Sequence, residues 1–119
     1  MFNTGKKLTI LAIGAHGDDI ELACGGTIAK AVKNRHEVIM VLVTGNASND
    51  HNNMKIRAQG AAQQEAKAAA KILGVSKLHI LGYQDTCVPY SAELISKLDD
   101  IITDCKPDII FTHFLFSFI

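Results

Sequence analysis

A chain of 119 residues, 48% hydrophobic and 20% charged, has room for one core and is too apolar to stay disordered. Its 12 Lys and Arg cancel its 12 Asp and Glu, so it lacks the basic excess that nucleic-acid or anionic-membrane binding draws on. Cys24, Cys87 and Cys105 are odd in number and far apart, which fits small apolar side chains in a reducing compartment, not a disulfide framework. No signal-peptide pattern follows the polar residues 1–7, and the longest apolar runs are strand-length, well short of the roughly 18 residues that indicate a membrane helix. The expectation is one cytoplasmic domain over residues 1–119, with no nucleic acid and no membrane span.

Four apolar runs alternate with three helical stretches. Residues 8–13, 38–43, 78–81 and 109–112 carry Ile, Val and Leu at consecutive positions, the pattern of strands covered on both faces of a parallel sheet. In the first crossover, Ile28 and Val32 share one helical face. The second, residues 54–73, is Ala-rich and stops at Gly74, a residue suited to the left-handed position that ends helices. In the third, Ser91 is placed to cap a helix with an apolar stripe of Leu94, Ile95, Leu98, Ile101 and Ile102, ending ahead of Pro107. The order β-α-β-α-β-α-β predicts an α/β fold, a three-layer Rossmann-like sandwich around a parallel sheet.

Two segments depart from this alternation. Residues 46–53 (N-A-S-N-D-H-N-N) follow the carboxyl end of the second strand. They read as an ordinary polar loop or as a rim over a ligand site, since open α/β sheets bind ligands at that end. Four of the five phenylalanines fall within residues 111–118. Either this tail packs on its own core, or the chain is the first part of a longer fold.

The densest chemistry is Gly14-Ala15-His16-Gly17-Asp18-Asp19-Ile20-Glu21, directly after the first strand. Burying such polar side chains costs energy unless they pair or bind a cation. His16 and Asp19, three apart across a strand-to-helix turn, are spaced to ligate one ion, and imidazole with carboxylate suits Zn²⁺ or a similar divalent metal. Asp18 between them is placed to act as a base. The competing reading is structural: the same acids cap the next helix at its positive end. Phosphate binding at Gly14, Gly17, Gly25 and Gly26 is disfavoured, because G-x-G-x-x-G is missing and two acids would repel a pyrophosphate. His36, His51 and His79 read as surface or strand-edge residues, and Asp99 and Asp100 as a solvated helix face.

The run from Ala15 to Thr27, A-H-G-D-D-I-E-L-A-C-G-G-T, closely resembles the A-H-P-D-D-[IE]-E-x-x-x-G-G-T signature of the PIG-L (LmbE-like) N-acetylglucosaminyl deacetylase family. Further likenesses follow in collinear order. Glu65, Ala68, Leu73 and Gly74 resemble that family's E-A-x-x-A-A-x-x-L-G helix. Leu81-Gly82-Tyr83-Gln84-Asp85 resembles its L-G-x-x-D segment, and Pro107-Asp108-Ile109-Ile110-Phe111-Thr112-His113 its P-D-x-I/V-x-T-H entry to a last motif.

The resemblance implies a zinc-dependent hydrolase that removes acetyl from an N-acetylglucosamine-type conjugate. It implies His16 and Asp19 as metal ligands, Asp18 as general base and Asp85 as a substrate contact. It also implies the strand order 3-2-1-4, which puts His113 at the same crevice as His16. There His113 is either a makeshift third ligand or a strand-end histidine hydrogen-bonded nearby. Three departures accompany the likeness. Gly17 replaces the family's proline, Thr86 stands where a glycine is usual, and the family's third-ligand motif lies further along than residue 119. The resulting expectation is an impaired, C-terminally truncated enzyme, self-associating through its exposed last strand and Phe-rich tail. The alternative is an inactive sugar-binding or interaction module of the same fold.

Overall fold

The computed structural model describes residues 5–45, 48–49, 55–57 and 59–114. The elements run β1 (Thr9–Gly14), α1 (Gly17–Lys33), β2 (Glu37–Thr44), β3 (Ser48–Asn49), β4 (Lys55–Arg57), α2 (Gln59–Leu73), β5 (Lys77–Tyr83), α3 (Ala92–Cys105) and β6 (Ile109–Phe111). Four strands make one parallel sheet in the order β5-β2-β1-β6. Counting only its strands, that is 3-2-1-4, as the resemblance implied. The chain builds outward from β1 through β2 to β5, then returns to the far side of β1 at β6. This reversal opens a crevice at the carboxyl ends of β1 and β6, where such sheets hold ligands.

The core lies on both faces of the two inner strands. On one face Ile10, Ala12, Val38, Met40 and Leu42 pack with Ile20, Ile28 and Ala31 of α1 and Ala66 and Ala70 of α2. On the other, Leu11, Ile39 and Val41 meet Leu98, Ile101 and Ile102 of α3. Helices thus cover both sides of the sheet, giving three layers. The outer strands β5 and β6 hold no fully buried residue, so the consecutive-apolar pattern reports two-sided burial only for β1 and β2.

Helix ends follow the local chemistry. Ser91 Oγ accepts the Leu94 N–H at 3.2 Å, and Gly74 takes the left-handed conformation (φ 82°) that closes α2. Asp99 and Asp100 are exposed.

Two expectations need correction. The second helix begins at Gln59, not 54, and Lys55–Arg57 instead pairs antiparallel with Ser48–Asn49. Met54, Lys55, Arg57 and Ala58 are good helix formers, so propensity does not set this boundary; the pairing of Lys55–Arg57 with Ser48–Asn49 overrides it. The rest of the polar patch, with His51, lies outside the described residues, as does the tail after Phe114. His36, expected as a surface or strand-edge residue, is buried. Its Nδ1 accepts the Leu8 N–H at 2.9 Å, satisfying a backbone donor ahead of β1.

Burial predicts where stability resides. Leu42 is fully buried in the first core cluster and Leu22 is 86% exposed. Leu42→Ala should cost about 2–5 kcal/mol and Leu22→Ala no more than about 0.5 kcal/mol, read from the urea midpoints of the two variants.

Candidate metal centre

Three loops, each leaving the carboxyl end of a strand, meet above β1. The first is the elbow between β1 and α1. A Cβ on Gly14 would stand 2.9 Å from Ile20 Cγ1 and 3.2 Å from the His16 carbonyl oxygen, so glycine is what lets the elbow tuck beneath its helix. The next residue, Ala15, is held through both its backbone groups. The Ala15 carbonyl accepts the Thr44 N–H at 3.1 Å and the Thr44 hydroxyl at 2.9 Å. The Ala15 N–H donates to His113 Nε2 at 3.2 Å.

His16 is the N-cap of α1, with extended backbone (φ −125°, ψ 164°). Its N–H donates to Asp19 Oδ2 at 2.8 Å, one half of a capping box. Gly17 occupies the first helical position, where a proline's fixed φ would also fit. Asp18 and Asp19 fill the first turn, at the positive end of the helix. Asp18 is exposed and lines, with Asp19, Leu22, Ala23 and His113, an open cleft of about 370 Å³.

The His16 imidazole has a carboxylate on each side. Its Nδ1 is 3.6 Å from Asp19 Oδ2, and its Nε2 is 2.8 Å from Asp85 Oδ1. His113 Nε2 lies 3.4 Å from the same Asp19 oxygen. One donor atom from each of His16, Asp18 and Asp19 falls within 4.8 Å of the others.

These spacings can be tested against a bound ion. Tetrahedral ligands about 2.0–2.1 Å from zinc stand about 3.3 Å apart. The 3.6 Å and 3.4 Å separations around Asp19 Oδ2 are near that value. Among the described residues, no Lys or Arg forms an ion pair with Asp18, Asp19 or Asp85. Three acids therefore converge with only imidazoles beside them, which is charge that a cation would balance. The donor set fits a divalent metal. His113 fits less simply, since its Nε2 lone pair already accepts the Ala15 N–H.

Sequence reasoning missed two supports. Thr44 is buried and fixes the elbow; its signal is a hydroxyl ending an otherwise apolar strand. The other is a brace at the start of the Asp85 loop. The Tyr83 hydroxyl donates to Glu93 Oε1 at 2.9 Å, and Lys97 Nζ lies 3.1 Å from that oxygen and 4.9 Å from the Tyr83 ring. The Lys97 hydrogen bond holds the Glu93 carboxyl below its ordinary range. Cys24 borders a second hollow near Asp19 and His113, but burial pushes its thiol pKa up. That suits a packing residue better than a thiolate ligand.

Comparison with known proteins shows the family and the fold. The family described as "PIG-L: GlcNAc-PI de-N-acetylase" matches residues 11–117. A diacetylchitobiose deacetylase from Thermococcus kodakarensis is 32% identical over 111 residues, covering 92% of this chain and 41% of that protein. An uncharacterized deacetylase of Escherichia coli K12, YaiS, is 37% identical over 109 residues, covering 88% and 54%. The chain thus spans about half, or less, of the curated relatives it matches. The crystallised N,N'-diacetylchitobiose deacetylase from Pyrococcus horikoshii, in complex with its inhibitor MPG, superposes with a TM-score of 0.77 at 31% identity. That match covers 89% of this chain and 40% of the other.

Thr86 stands at a strained point of the Asp85 loop. Its φ is 64°, a left-handed conformation that is an outlier for a β-branched residue, at the position where a glycine was expected. Left-handed backbone costs about 1–2 kcal/mol, and glycine's greater unfolded-state entropy returns only part of that. Thr86→Gly should therefore stabilise the chain by about 0.5–1 kcal/mol, seen as a higher Tm; a lower Tm would show that the threonine side chain is needed there.

Proposed function

Because the chain belongs to the PIG-L (GlcNAc-PI de-N-acetylase) family, we propose that it serves a metal-dependent deacetylation, the release of acetate from an N-acetylated amino-sugar conjugate. The observation that carries this reading is the convergence of His16, Asp18 and Asp19 at the start of α1, inside the matched region. The substrate class rests on the relatives named as diacetylchitobiose deacetylases.

In this reading His16, through Nδ1, and Asp19 hold the ion. His113 joins them by giving up the Ala15 N–H. A divalent ion held there supplies Lewis acidity, lowering the pKa of water toward about 7 and polarising the amide carbonyl. Asp18, free of the capping bond that Asp19 makes, faces the cleft and works as general base. It takes a proton as water oxygen attacks the acetyl carbonyl carbon. It returns that proton to nitrogen as the C–N bond breaks, leaving acetate and a free amine. Two committed donors and one shared donor bind an ion less tightly than the three or four of ordinary zinc sites, so turnover by these 119 residues is low.

The setting follows from the same residues. We place the chain in the cytoplasm as one domain, on the strength of its three free cysteines. No helix among the described residues is long and apolar enough to cross a membrane. The last strand supports self-association. Among the described residues β6 pairs only with β1, and its Ile110 is 43% exposed, an apolar edge of the kind that recruits other strands. Ile110→Lys should shift the chain toward monomer in light scattering. An unchanged mass distribution would remove β6 from the interface.

Zinc titration by calorimetry and acetate release from N,N'-diacetylchitobiose test the reading together. His16→Ala should abolish zinc binding, and His113→Ala should weaken it by about tenfold, a step of roughly 1.4 kcal/mol. Asp18→Asn should keep its zinc and lose about 10²–10⁴-fold in turnover, the range of a general base. Zinc binding indifferent to His16 would defeat the metal assignment. Disaccharide binding without any acetate release would favour a non-catalytic sugar-binding module.

A further inference from the structure

Asp85 was expected beside the substrate, yet its carboxylate is already engaged. Asp85 Oδ1 lies 2.8 Å from His16 Nε2 and accepts the Thr86 N–H at 3.0 Å. The two side chains are 30% and 28% exposed, so water competes only partly for the contact. A carboxylate accepts and does not donate, so the proton of the His16–Asp85 bond sits on Nε2. The neutral imidazole then has its lone pair on Nδ1, the nitrogen that faces Asp19 Oδ2 at 3.6 Å.

We propose that Asp85 is a positioning residue that fixes the tautomer and orientation of His16, presenting Nδ1 to a divalent cation. The metal half of this statement rests on the reading of His16 as a ligand; the tautomer half does not. Carboxylate–histidine pairs of this kind orient ligating imidazoles and raise their basicity, and their loss typically costs 10–100-fold in metal affinity. The arrangement has its own support. The Thr86 N–H anchors the same oxygen that receives His16, and that anchoring bond comes from the residue held at φ 64°. The Tyr83–Glu93–Lys97 brace fixes the loop's other approach to α3. Backbone strain retained beside a carboxylate that orients a ligand is strain kept where geometry matters.

The contact also explains how β5 reaches the crevice at all. β5 is separated from β1 by β2 in the sheet, so its loop must cross above Thr44 to touch His16. Gly45 N–H donates to the Tyr83 carbonyl at 2.9 Å, joining the two strand ends just before that crossing.

The experiment is long-range ¹H–¹⁵N NMR of the His16 ring in the metal-free chain, with zinc calorimetry on the same samples. The native chain should show the Nε2–H tautomer. Asp85→Ala should mix the two tautomers and weaken zinc binding by 10–100-fold, while Asp85→Asn, which keeps an acceptor oxygen, should restore most of both. An unchanged His16 spectrum in Asp85→Ala would overturn the proposal, whatever the zinc result. So would an unchanged zinc affinity accompanied only by a raised KM, which would return Asp85 to substrate binding. If the native chain binds no zinc but Asp85→Ala still shifts the tautomer, the deacetylase reading fails and the positioning role stands.

Discussion

The site depends on how one residue, Ala15, is held. The Ala15 carbonyl receives two donors from Thr44 and its N–H reaches His113, so the ends of β2, β1 and β6 are tied at a single point. Each bond is worth only about 1 kcal/mol net. Their value is geometric, because they set the angle at which the chain leaves β1 and enters α1. That angle puts the His16 ring and the first helical turn over the crevice.

Capping alone does not account for the acids gathered there. Asp19 has an ordinary structural role, accepting the His16 N–H, and the helix dipole favours both Asp18 and Asp19. A purely structural elbow, however, has no use for a third carboxylate brought from 69 residues away onto the same imidazole. The second imidazole, 3.4 Å from the capping oxygen, also serves the elbow by accepting the Ala15 N–H. Capping explains why Asp19 is oriented, and the same orientation turns its Oδ2 toward both imidazoles. The two readings are layers of one arrangement.

What the sequence made legible was what local chemistry decides. Consecutive Ile, Val and Leu marked β1 and β2, the Ser91 and Gly74 ends were capped as their side chains dictate, and the His16 to Asp19 cluster stood out because packing does not require it. What stayed hidden depends on distant partners. The short β3–β4 pairing has no apolar periodicity to announce it. His36 is buried because a backbone donor at Leu8 needs an acceptor, and nothing near residue 36 signals that need. Asp85 was recognisable as a residue of interest, but its contact with His16 exists only once β5 has folded beside β2. Thr44 lies just past the apolar run 38–43, and its hold on Ala15 appears only in three dimensions.

Burial is distributed unevenly around the site, and this bears on how the site behaves. β1 and β2 pair from Thr9 opposite Glu37 to Gly14 opposite Leu42, with both faces covered. β6 pairs with β1 only from Ile10 opposite Ile109 to Ala12 opposite Phe111, and it holds no fully buried residue. His113 follows that weaker strand, whereas His16 and Asp19 follow the strongest. Opening events start where few buried contacts hold the backbone, and β6, with the His113 imidazole that holds the Ala15 N–H just beyond it, is held by less burial than β1. The elbow would keep its Thr44 bonds through such an opening, and the His16–Asp85 contact spans only β1, β2 and β5. His16 and Asp19 are thus carried by the most deeply buried part of the sheet, while His113 follows its edge strand.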